Sequence, residues 1–381
     1  MITNSQFKAI TADYEKIQNK NRHILLQRKE EIYARIPAYQ ELEQQISGLC
    51  IIQGRKLLSG DKQALDDMKK QLHALSAQKQ QLLKEHGYPA DYLEPVYEQL
   101  HRELLAKEVL HADETTLQVL HEPGKEPQSK SYMWLYRTSG DTDNPVVMYE
   151  YQSGRGAVHP REFLEGFKGY LHADGYAGYH NLPEDITVVG CWAHLRRKFD
   201  EAMKSLPKSK AKNSSAAQGL AYCSLLFGLE DDFAELTPDE RYQQRLEQAK
   251  PVLDAFLAWA NIRNAAPKSA LGKALTYLKE QWPYLTNYLK DGRMELSNNR
   301  AERSIKPFVI DRKNFLFANT PGGAKGSVVI FTMIQTAIEN HLDPYRYLTW
   351  LLKAANTADL PRPEVIEQLL PWNAPQECRM N

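Results

Sequence analysis

Residues 169–179 read Gly-Tyr-Leu-His-Ala-Asp-Gly-Tyr-Ala-Gly-Tyr, a short apolar run that ends in a carboxylate and is followed at once by glycine. The tripeptide His-Ala-Asp also closes a second apolar run, Val-Leu-His-Ala-Asp-Glu-Thr-Thr, at residues 109–116. Short apolar runs bounded by turn-forming residues are typical of buried strands. We therefore expect two strands that deliver the carboxylates of Asp113 and Asp174 near their ends.

The stretches around these two runs predict an α/β fold. Patterns rich in β-branched and aromatic residues alternate with turn formers and then with helical periodicity. The predicted elements, in order, are strands at 115–120, 132–137 and 146–151, a helix at about 160–167, the strand ending at Asp174, a strand at 186–189 and a helix from about Ala193. This order predicts a mixed five-stranded sheet with helices on both faces, as in a ribonuclease-H-like fold.

The rest of the chain predicts mostly helix. Residues 1–96 indicate an α-helical, coiled-coil-like region that ends in a linker at 87–95, where two prolines and a glycine fall together. Residues 97–355 contain the sheet, interrupted by a helical insertion at about 214–290, and residues 356–381 predict an irregular tail. The apolar seam of the first region is formed by Leu65, Met68, Leu72, Leu75 and Leu82.

Composition excludes several classes of protein. The 381 residues contain 48 lysines and arginines and 48 acidic residues, so the net charge gives no support for nucleic-acid binding, which must rest on local patches. No apolar run approaches twenty residues and no secretory leader is recognisable, so we expect a cytoplasmic, bacterial protein without a membrane partner. Four scattered cysteines without a C-x-x-C pair argue against disulfides and against structural zinc.

A third carboxylate, Glu302, follows the predicted insertion on a helix. Two carboxylates from strand ends and one from a crossing helix can converge on a pair of hard divalent cations, which prefer oxygen ligands. The alternative is that each of these residues is one of 48 acidic groups on a solvated surface.

Four ordered segments resemble the insertion sequence 66 family of transposases, members of the Asp-Asp-Glu superfamily. The resemblance extends from Glu108 to about Leu352 and implies a ribonuclease-H-like core in which Asp113, Asp174 and Glu302 are both the catalytic residues and the metal ligands. It implies Mg²⁺ as the cofactor, with Mn²⁺ as the alternative. The matching segments are 111–117 (HADETTL), 169–179 (GYLHADGYAGY), 189–199 (VGCWAHLRRKF) and 296–307 (LSNNRAERSIKP).

Basic residues near these segments are candidates for contacts with DNA phosphates. Arg300 and Arg303 are three residues apart and are expected to share a helix face, with Glu302 directed elsewhere. Asp311 stands where family members often have glycine and adds a negative charge; a solvated basic surface is the alternative for the whole set. The candidates are Arg196, Arg197, Lys198, Asn299, Arg300, Arg303, Lys306, Arg312 and Lys313.

Cys191 and His194 form a C-x-x-H pair next to the basic run. As zinc ligands they would need two more partners, and the sequence offers no second pair at suitable spacing, so we predict no zinc. We assign both to support of the active site, with His194 orienting DNA or a carboxylate. A buried structural histidine is the equal alternative.

The front of the chain does not resemble the usual front of this family. Residues 28–37 (RKEEIYARIP) and 85–95 (EHGYPADYLEP) resemble the helical N-terminal region of a DnaC-type helicase loader, which implies a junction near Tyr97. No phosphate-binding loop is present; the stretch 322–327 (GGAKGS) lacks the required order and is interpreted as a flexible turn, so no nucleotide cofactor is expected.

The sequence therefore predicts a DNA transposase core that cleaves and transfers strands at insertion-sequence ends. Its expected partners are the element ends and target DNA, a second copy of the chain when two ends are paired, and accessory transposition proteins. One alternative is a catalytically idle relic of a fused gene that binds DNA or a helicase. Another is a general nuclease with the same fold.

Overall fold

The computed structural model describes residues 89–140, 142–357 and 363–380 continuously, together with 38, 40–42, 44–49, 52, 66–72, 74, 75 and 78. The chain divides into two compact units, Met1–Tyr92 and Leu93–Asn381. Among the helices of the described residues, none is long and apolar enough to cross a membrane.

In the first unit, the described residues are helical. Three members of the predicted apolar seam are described: Met68 is buried, and Leu72 and Leu75 are half-buried. Leu65 and Leu82 lie outside the described residues, as does the whole segment 28–37. The coiled coil and the loader-like segment remain predictions.

A mixed five-stranded sheet is the centre of the second unit, which confirms the predicted α/β class. Its strand order is β3-β2-β1-β4-β5. Strands β1, β2 and β3 pair antiparallel, whereas β1, β4 and β5 pair parallel. The strands are β1 (Val109–Gln118), β2 (Lys130–Thr138), β3 (Val147–Gln152), β4 (Gly169–Ala173) and β5 (Ile186–Gly190).

Helices precede, interrupt and follow this sheet. They are α1 (Pro89–Leu105), α2 (Val158–Phe163), α3 (Trp192–Lys204), α4 (Lys208–Ala211), α5 (Ser215–Asp232), α6 (Pro238–Gln244), α7 (Lys250–Asn261), α8 (Ala270–Leu285), α9 (Asn299–Phe315), α10 (Pro321–Glu339), α11 (Pro344–Thr357) and α12 (Pro363–Gln368). A π-helical turn at Arg245–Ala249 joins α6 to α7, and short 3₁₀ turns lie at Ala177–Tyr179, Thr286–Lys290, Pro371–Asn373 and Gln376–Cys378.

Alternation along the strands buries both faces of the sheet, because successive side chains point to opposite sides. One face, with Leu110 and Ala112 of β1, packs against α1, α2 and α11. The opposite face, with Met133 and Leu135 of β2, packs against α9 and the start of α10. The helical insertion packs against α3 and the end of β5 in a separate apolar cluster.

The parallel contact between β1 and β4 depends on a glycine. Gly169 opens β4 with φ +143°, and a Cβ atom there would lie only 2.2 Å from the backbone oxygen of Glu108. That oxygen instead accepts a hydrogen bond of 2.8 Å from the N–H of Tyr170. Glycine tolerates both the conformation and the close approach.

Arg245, in the π-helical turn, ties the insertion to the segment that returns to the sheet. Its side chain is fully buried and forms a two-point ion pair with Glu230, with N···O distances of 2.8 and 2.6 Å. Its remaining N–H groups donate to the backbone oxygens of Tyr288, Asp291 and Met294. The guanidinium therefore fixes the path of the chain just before α9.

Several predicted boundaries are corrected. The linker predicted at 87–95 is helical from Pro89 onward, and β1 begins at Val109 rather than at 115, so Asp113 lies in mid-strand. The segment 321–323 is not a loop, because the Thr320 hydroxyl accepts the Gly323 N–H and caps α10.

The tail predicted to be irregular contains α12 and two 3₁₀ turns. Leu370 and Cys378 from this segment are buried in the core cluster of the first sheet face. Residues 363–378 are therefore an ordered part of the second unit.

Replacing Arg245 by leucine is expected to lower the free energy of unfolding by about 3–5 kcal/mol, because Glu230 and three backbone oxygens lose a buried partner. Hydrogen exchange should accelerate most in residues 286–298. Lys250→Ala, which removes an exposed ion pair with Asp254, is the control and should change stability by less than about 1 kcal/mol. Equal effects of the two substitutions would contradict the assigned role.

Candidate functional site

The two His-Ala-Asp segments lie side by side in the parallel pair β1–β4. Their register aligns Val109 with Tyr170 and His111 with His172. On each strand, the last aligned residue is followed by Ala-Asp. Residues two positions apart point to the same face of a strand, so Asp113 and Asp174 emerge next to each other on the face that α9 covers. Asp113 is in mid-strand, but the pairing with β4 stops just before it.

The third predicted carboxylate meets these two across a cavity. Glu302 lies in the first turn of α9, and its side chain is 31% exposed. The cavity has a volume of about 520 Å³ and is lined by Asp113, Glu114, Thr115, Asp174, His194, Arg197, Asn299, Glu302, Arg303, Ile305, Lys306 and Val309. The structure therefore brings all three predicted carboxylates to one site.

Backbone N–H groups hold one oxygen of each aspartate. Asp113 Oδ1 accepts from Glu114 N at 2.9 Å, and Asp174 Oδ1 accepts from Tyr176 N at 2.8 Å. Burial raises the pKa of Asp113 to about 8, and repulsion from Glu114, Asp174 and Glu302 adds to the shift. A cation in this open cavity would stabilise the ionised form of Asp113 and lower its pKa.

Glu114 is the fourth carboxylate of the cavity, and sequence analysis did not single it out. It is bound by Arg155, whose Nε donates at 2.6 Å, and by the Tyr179 hydroxyl, also at 2.6 Å. Arg155 and the Tyr179 hydroxyl therefore oppose the rise in the pKa of Glu114 that burial causes. Asp113, Asp174 and Glu302 remain the carboxylates best able to hold a metal.

Asn298, directly before α9, joins the helix to the strands. Its amide nitrogen donates to the Ala112 backbone oxygen at 2.7 Å, and its amide oxygen accepts from His111 Nδ1 at 3.0 Å. Its own N–H donates to Cys191 Sγ at 3.1 Å. These bonds set the position of the helix that carries Glu302.

His111 and His172 lie behind the aspartates as a buried stacked pair. Their ring centroids are 5.0 Å apart and the rings are nearly parallel, at 2°. Burial lowers the pKa of His172 to about 4 and that of His111 well below its usual value, so both rings are neutral at pH 7. His172 Nε2 donates to the Glu295 backbone oxygen at 2.9 Å, which adds a second tether to the segment before α9.

Cys191, His194 and Glu302 form a compact group in which the potential ligand atoms lie within 4.8 Å of one another, as judged over the described residues. His194 Nε2 is 3.6 Å from Glu302 Oε1, a buried oxygen with no hydrogen-bond partner. The structure thus supplies a third partner that the spacing of the sequence did not reveal. Burial raises the pKa of the Cys191 thiol to about 11, and its Sγ accepts the hydrogen bond from Asn298 N–H.

Four of the predicted DNA-contact residues line the cavity: Arg197, Asn299, Arg303 and Lys306. Arg197 lies 3.8 Å from Glu302, and Arg303 and Lys306 are exposed. The prediction that Arg303 and Glu302 point in different directions is wrong, because both reach the same cavity. Arg300 instead pairs with Glu295 at 2.5 Å.

The other predicted contacts are distributed differently. The Arg196 guanidinium lies over the Phe227 ring and the Lys198 ammonium over the Tyr277 ring, so both face the insertion. Arg312 is bound to Thr115 and Thr116 and cross-links α9 to β1. Lys313 is exposed near the end of α9.

Sequence reasoning missed the polar residues behind the triad: His111, His172 and Asn298. The repeated His-Ala-Asp tripeptide carried a signal, since identical segments on paired strands place identical side chains on one face. The sequence around Asn298 gave no comparable signal, because its partners Cys191 and Ala112 are 107 and 186 residues away along the chain.

Asp113→Asn is expected to stabilise the metal-free protein above pH 4. The folded-state pKa of about 8 exceeds the unfolded value near 4, so ionisation penalises folding increasingly from pH 4 to pH 8. The melting temperature of the variant in chelator should exceed that of the wild type by at least about 3 °C at pH 8 and should match it near pH 4. The exposed Asp185→Asn is the control, and a pH-independent difference would rule out this cause.

Asn298→Ala is expected to lower stability by about 2–4 kcal/mol, because the Ala112 oxygen and His111 Nδ1 lose their partner in a buried setting. Hydrogen exchange should accelerate in the first turn of α9. Asn314→Ala, at an exposed position near the other end of the helix, should have little effect. Unchanged exchange at residues 299–303 would contradict the role of Asn298.

Comparisons with known proteins found relatives in one bacterial strain. The chain matches uncharacterized protein y4qI of Sinorhizobium fredii (strain NBRC 101917 / NGR234) with 35% identity over 281 residues, covering 70% of this chain and 51% of the relative. Uncharacterized protein y4hP of the same strain matches with 31% identity over 305 residues, covering 75% and 54%. The chain thus spans about half the length of these curated relatives, and no solved structure matches it.

Two family models also match. The IS66 C-terminal element matches residues 332–372, which include α11 and α12. The model described as transposase IS66 family matches residues 63–326 and begins upstream of Tyr97, where we predicted a junction. Because this match covers more than half of the chain, the protein belongs to the IS66 family of transposases.

Proposed function

We propose that this chain is the catalytic core of a DNA transposase that cuts and joins DNA strands by metal-dependent phosphoryl transfer. The observation that carries the proposal is the in-register pairing of the two His-Ala-Asp segments. It places Asp113 and Asp174 together on the sheet face covered by α9, where Glu302 completes a three-carboxylate site.

The strand order supports a ribonuclease-H-like core. An antiparallel β1–β2–β3 meander continued by parallel β4 and β5 is the arrangement expected for that fold. In this interpretation the helices between β5 and α9 are an insertion. The carboxylates come from the first strand, from the end of the fourth and from the helix after the insertion.

The carboxylates fit a hard divalent cation, for which Mg²⁺ is the natural choice. Asp113 has a raised pKa in the absence of a cation, and Glu302 Oε1 is buried without a hydrogen-bond partner. A pair of bound cations would activate the attacking oxygen and stabilise the leaving oxygen.

Neighbouring residues of the chain orient these groups and bind DNA. His194 and Arg197 flank Glu302 and restrict its carboxylate. Arg303 and Lys306 line the same cavity and can neutralise the phosphates on either side of the scissile bond. The reaction is cleavage by water at an element end, followed by attack of the released 3′-hydroxyl on target DNA; two ends brought together require a second copy of the chain.

Labelled DNA that carries the ends of the element should be cut and joined by the full chain in Mg²⁺ or Mn²⁺. Asp174→Asn and Glu302→Gln should reduce the rate on the order of 10³-fold, since several kcal/mol of transition-state stabilisation correspond to that factor. The exposed Asp185→Asn is the matched control and should retain full activity.

Three results would redirect the assignment. DNA binding without cleavage in either metal would favour an idle DNA-binding relic. Cleavage that ignores the element ends would favour a general nuclease. Full activity of Asp174→Asn would remove the proposed site.

A further inference from the structure

The segment after α9 makes an unusual turn. Leu316 has φ +63° and ψ −48°, and the N–H of Phe317 donates to the Phe315 oxygen at 2.7 Å. This is a three-residue γ-turn with a positive central φ, a form that is rare and strained for residues other than glycine. Strained backbone of this kind is concentrated at functional sites.

The turn is apolar and exposed. Leu316 is 63% exposed, and Phe317 and Phe315 are 40% and 37% exposed. Leu316 loses most of the gain of burial and also bears the backbone strain, so folding alone does not account for a large apolar residue at this position. Phe315 contacts Phe308 in α9, which leaves Leu316 and Phe317 as the projecting residues.

The turn is held from both sides. Leu316 N–H donates to the Arg312 oxygen at 2.8 Å, which closes the last turn of α9. Ala318 N–H donates to the Gln118 oxygen at 2.9 Å, which extends β1. Arg312 itself is bound to Thr116. The tip therefore projects from a fixed base rather than from a free loop.

A basic stripe connects the carboxylate cavity to this tip. Arg303, Lys306 and Lys313 are all exposed and fall on one side of α9 at about 100° per residue. Asp311 is rotated about 140° from Lys306 and about 160° from Lys313 but about 80° from Arg303, so its negative charge lies away from the two lysines. The stripe and the tip together present positive charge that ends in an apolar wedge.

We propose that the Phe315-Leu316-Phe317 turn inserts into the DNA duplex and unstacks its bases at a fixed distance from the carboxylates. Thirteen residues of helix separate Glu302 from Phe315, or roughly 20 Å. At 3.4 Å per step, this distance corresponds to about six base pairs. The inference rests on the proposed function, because it takes the DNA to run from the cavity along α9.

DNA is the partner that fits both features of the surface. Phosphates match the basic stripe, and apolar or aromatic side chains can enter a base step or stack on an exposed base. A protein partner would require a broader apolar surface than this tip and the exposed Ile310, which lies among the basic residues of α9.

The test uses end-containing duplexes with 2-aminopurine, a fluorescent base, at successive positions from the cleaved phosphate. With the full chain in Ca²⁺, which should hold the uncut complex, fluorescence should rise several-fold at a position about six base pairs away. Leu316→Gly should abolish this rise while changing the affinity for DNA less than about threefold. Because glycine accepts the positive φ, the variant should also melt slightly higher than the wild type.

Ile262→Ala, at an exposed apolar position of the insertion, is the matched control and should leave the signal intact. A signal that persists in both Leu316→Gly and Phe317→Ala would overturn the proposal. A changed oligomeric state of Leu316→Gly, measured as its molecular mass in solution, together with an unchanged fluorescence signal would also overturn the proposal. That result would assign the turn to a protein interface.

The test separates this inference from the proposed function. Cleavage by the wild type without any fluorescence change would overturn the wedge and leave the transposase assignment standing. If the wild type neither binds nor cuts the duplex, both the wedge and the transposase assignment are overturned. Asp174→Asn, which should cut on the order of 10³-fold more slowly, should still give the full signal.

Discussion

The parallel pairing of β1 with β4 is the contact on which the rest of the site depends. It aligns two copies of one tripeptide, stacks two buried imidazoles and brings two aspartates to one edge. The imidazoles must be neutral, because two adjacent charges in a buried setting would carry a large desolvation cost. Each ring nitrogen that donates a hydrogen bond donates to the segment 295–298, so the strand pair also anchors the start of α9.

This arrangement explains how Glu302 reaches the two aspartates although the helices between β5 and α9 separate them along the chain. The chain leaves the sheet after β5, forms the helical insertion and returns to the same place. Arg245 fixes the return path at 288–294, and Asn298 fixes its end on β1 and Cys191. The position of Glu302 is therefore set by contacts on both sides of the insertion.

Much of this could be predicted from local patterns. Strand periodicity and turn residues indicated the five strands, although Asp113 lies in mid-strand and not near a strand end as expected. Contacts between distant segments could not be read in the same way. Arg312 and Arg300 look like phosphate ligands in the sequence, yet one binds threonines of β1 and the other Glu295. Asn298 has no local pattern that distinguishes it from its neighbour Asn299.

Buried charged groups have different partners in the surrounding helices and strands, called the frame here, than in the cavity. In the frame, the buried guanidinium of Arg137 is bound by Glu339 and Ser304, and that of Arg245 uses every N–H. In the cavity, burial disfavours the ionised form of Asp113, and Glu302 Oε1 has no hydrogen-bond partner. The raised pKa of Asp113 and the unpartnered Glu302 Oε1 are the physical reason for the proposal that these carboxylates hold a cation.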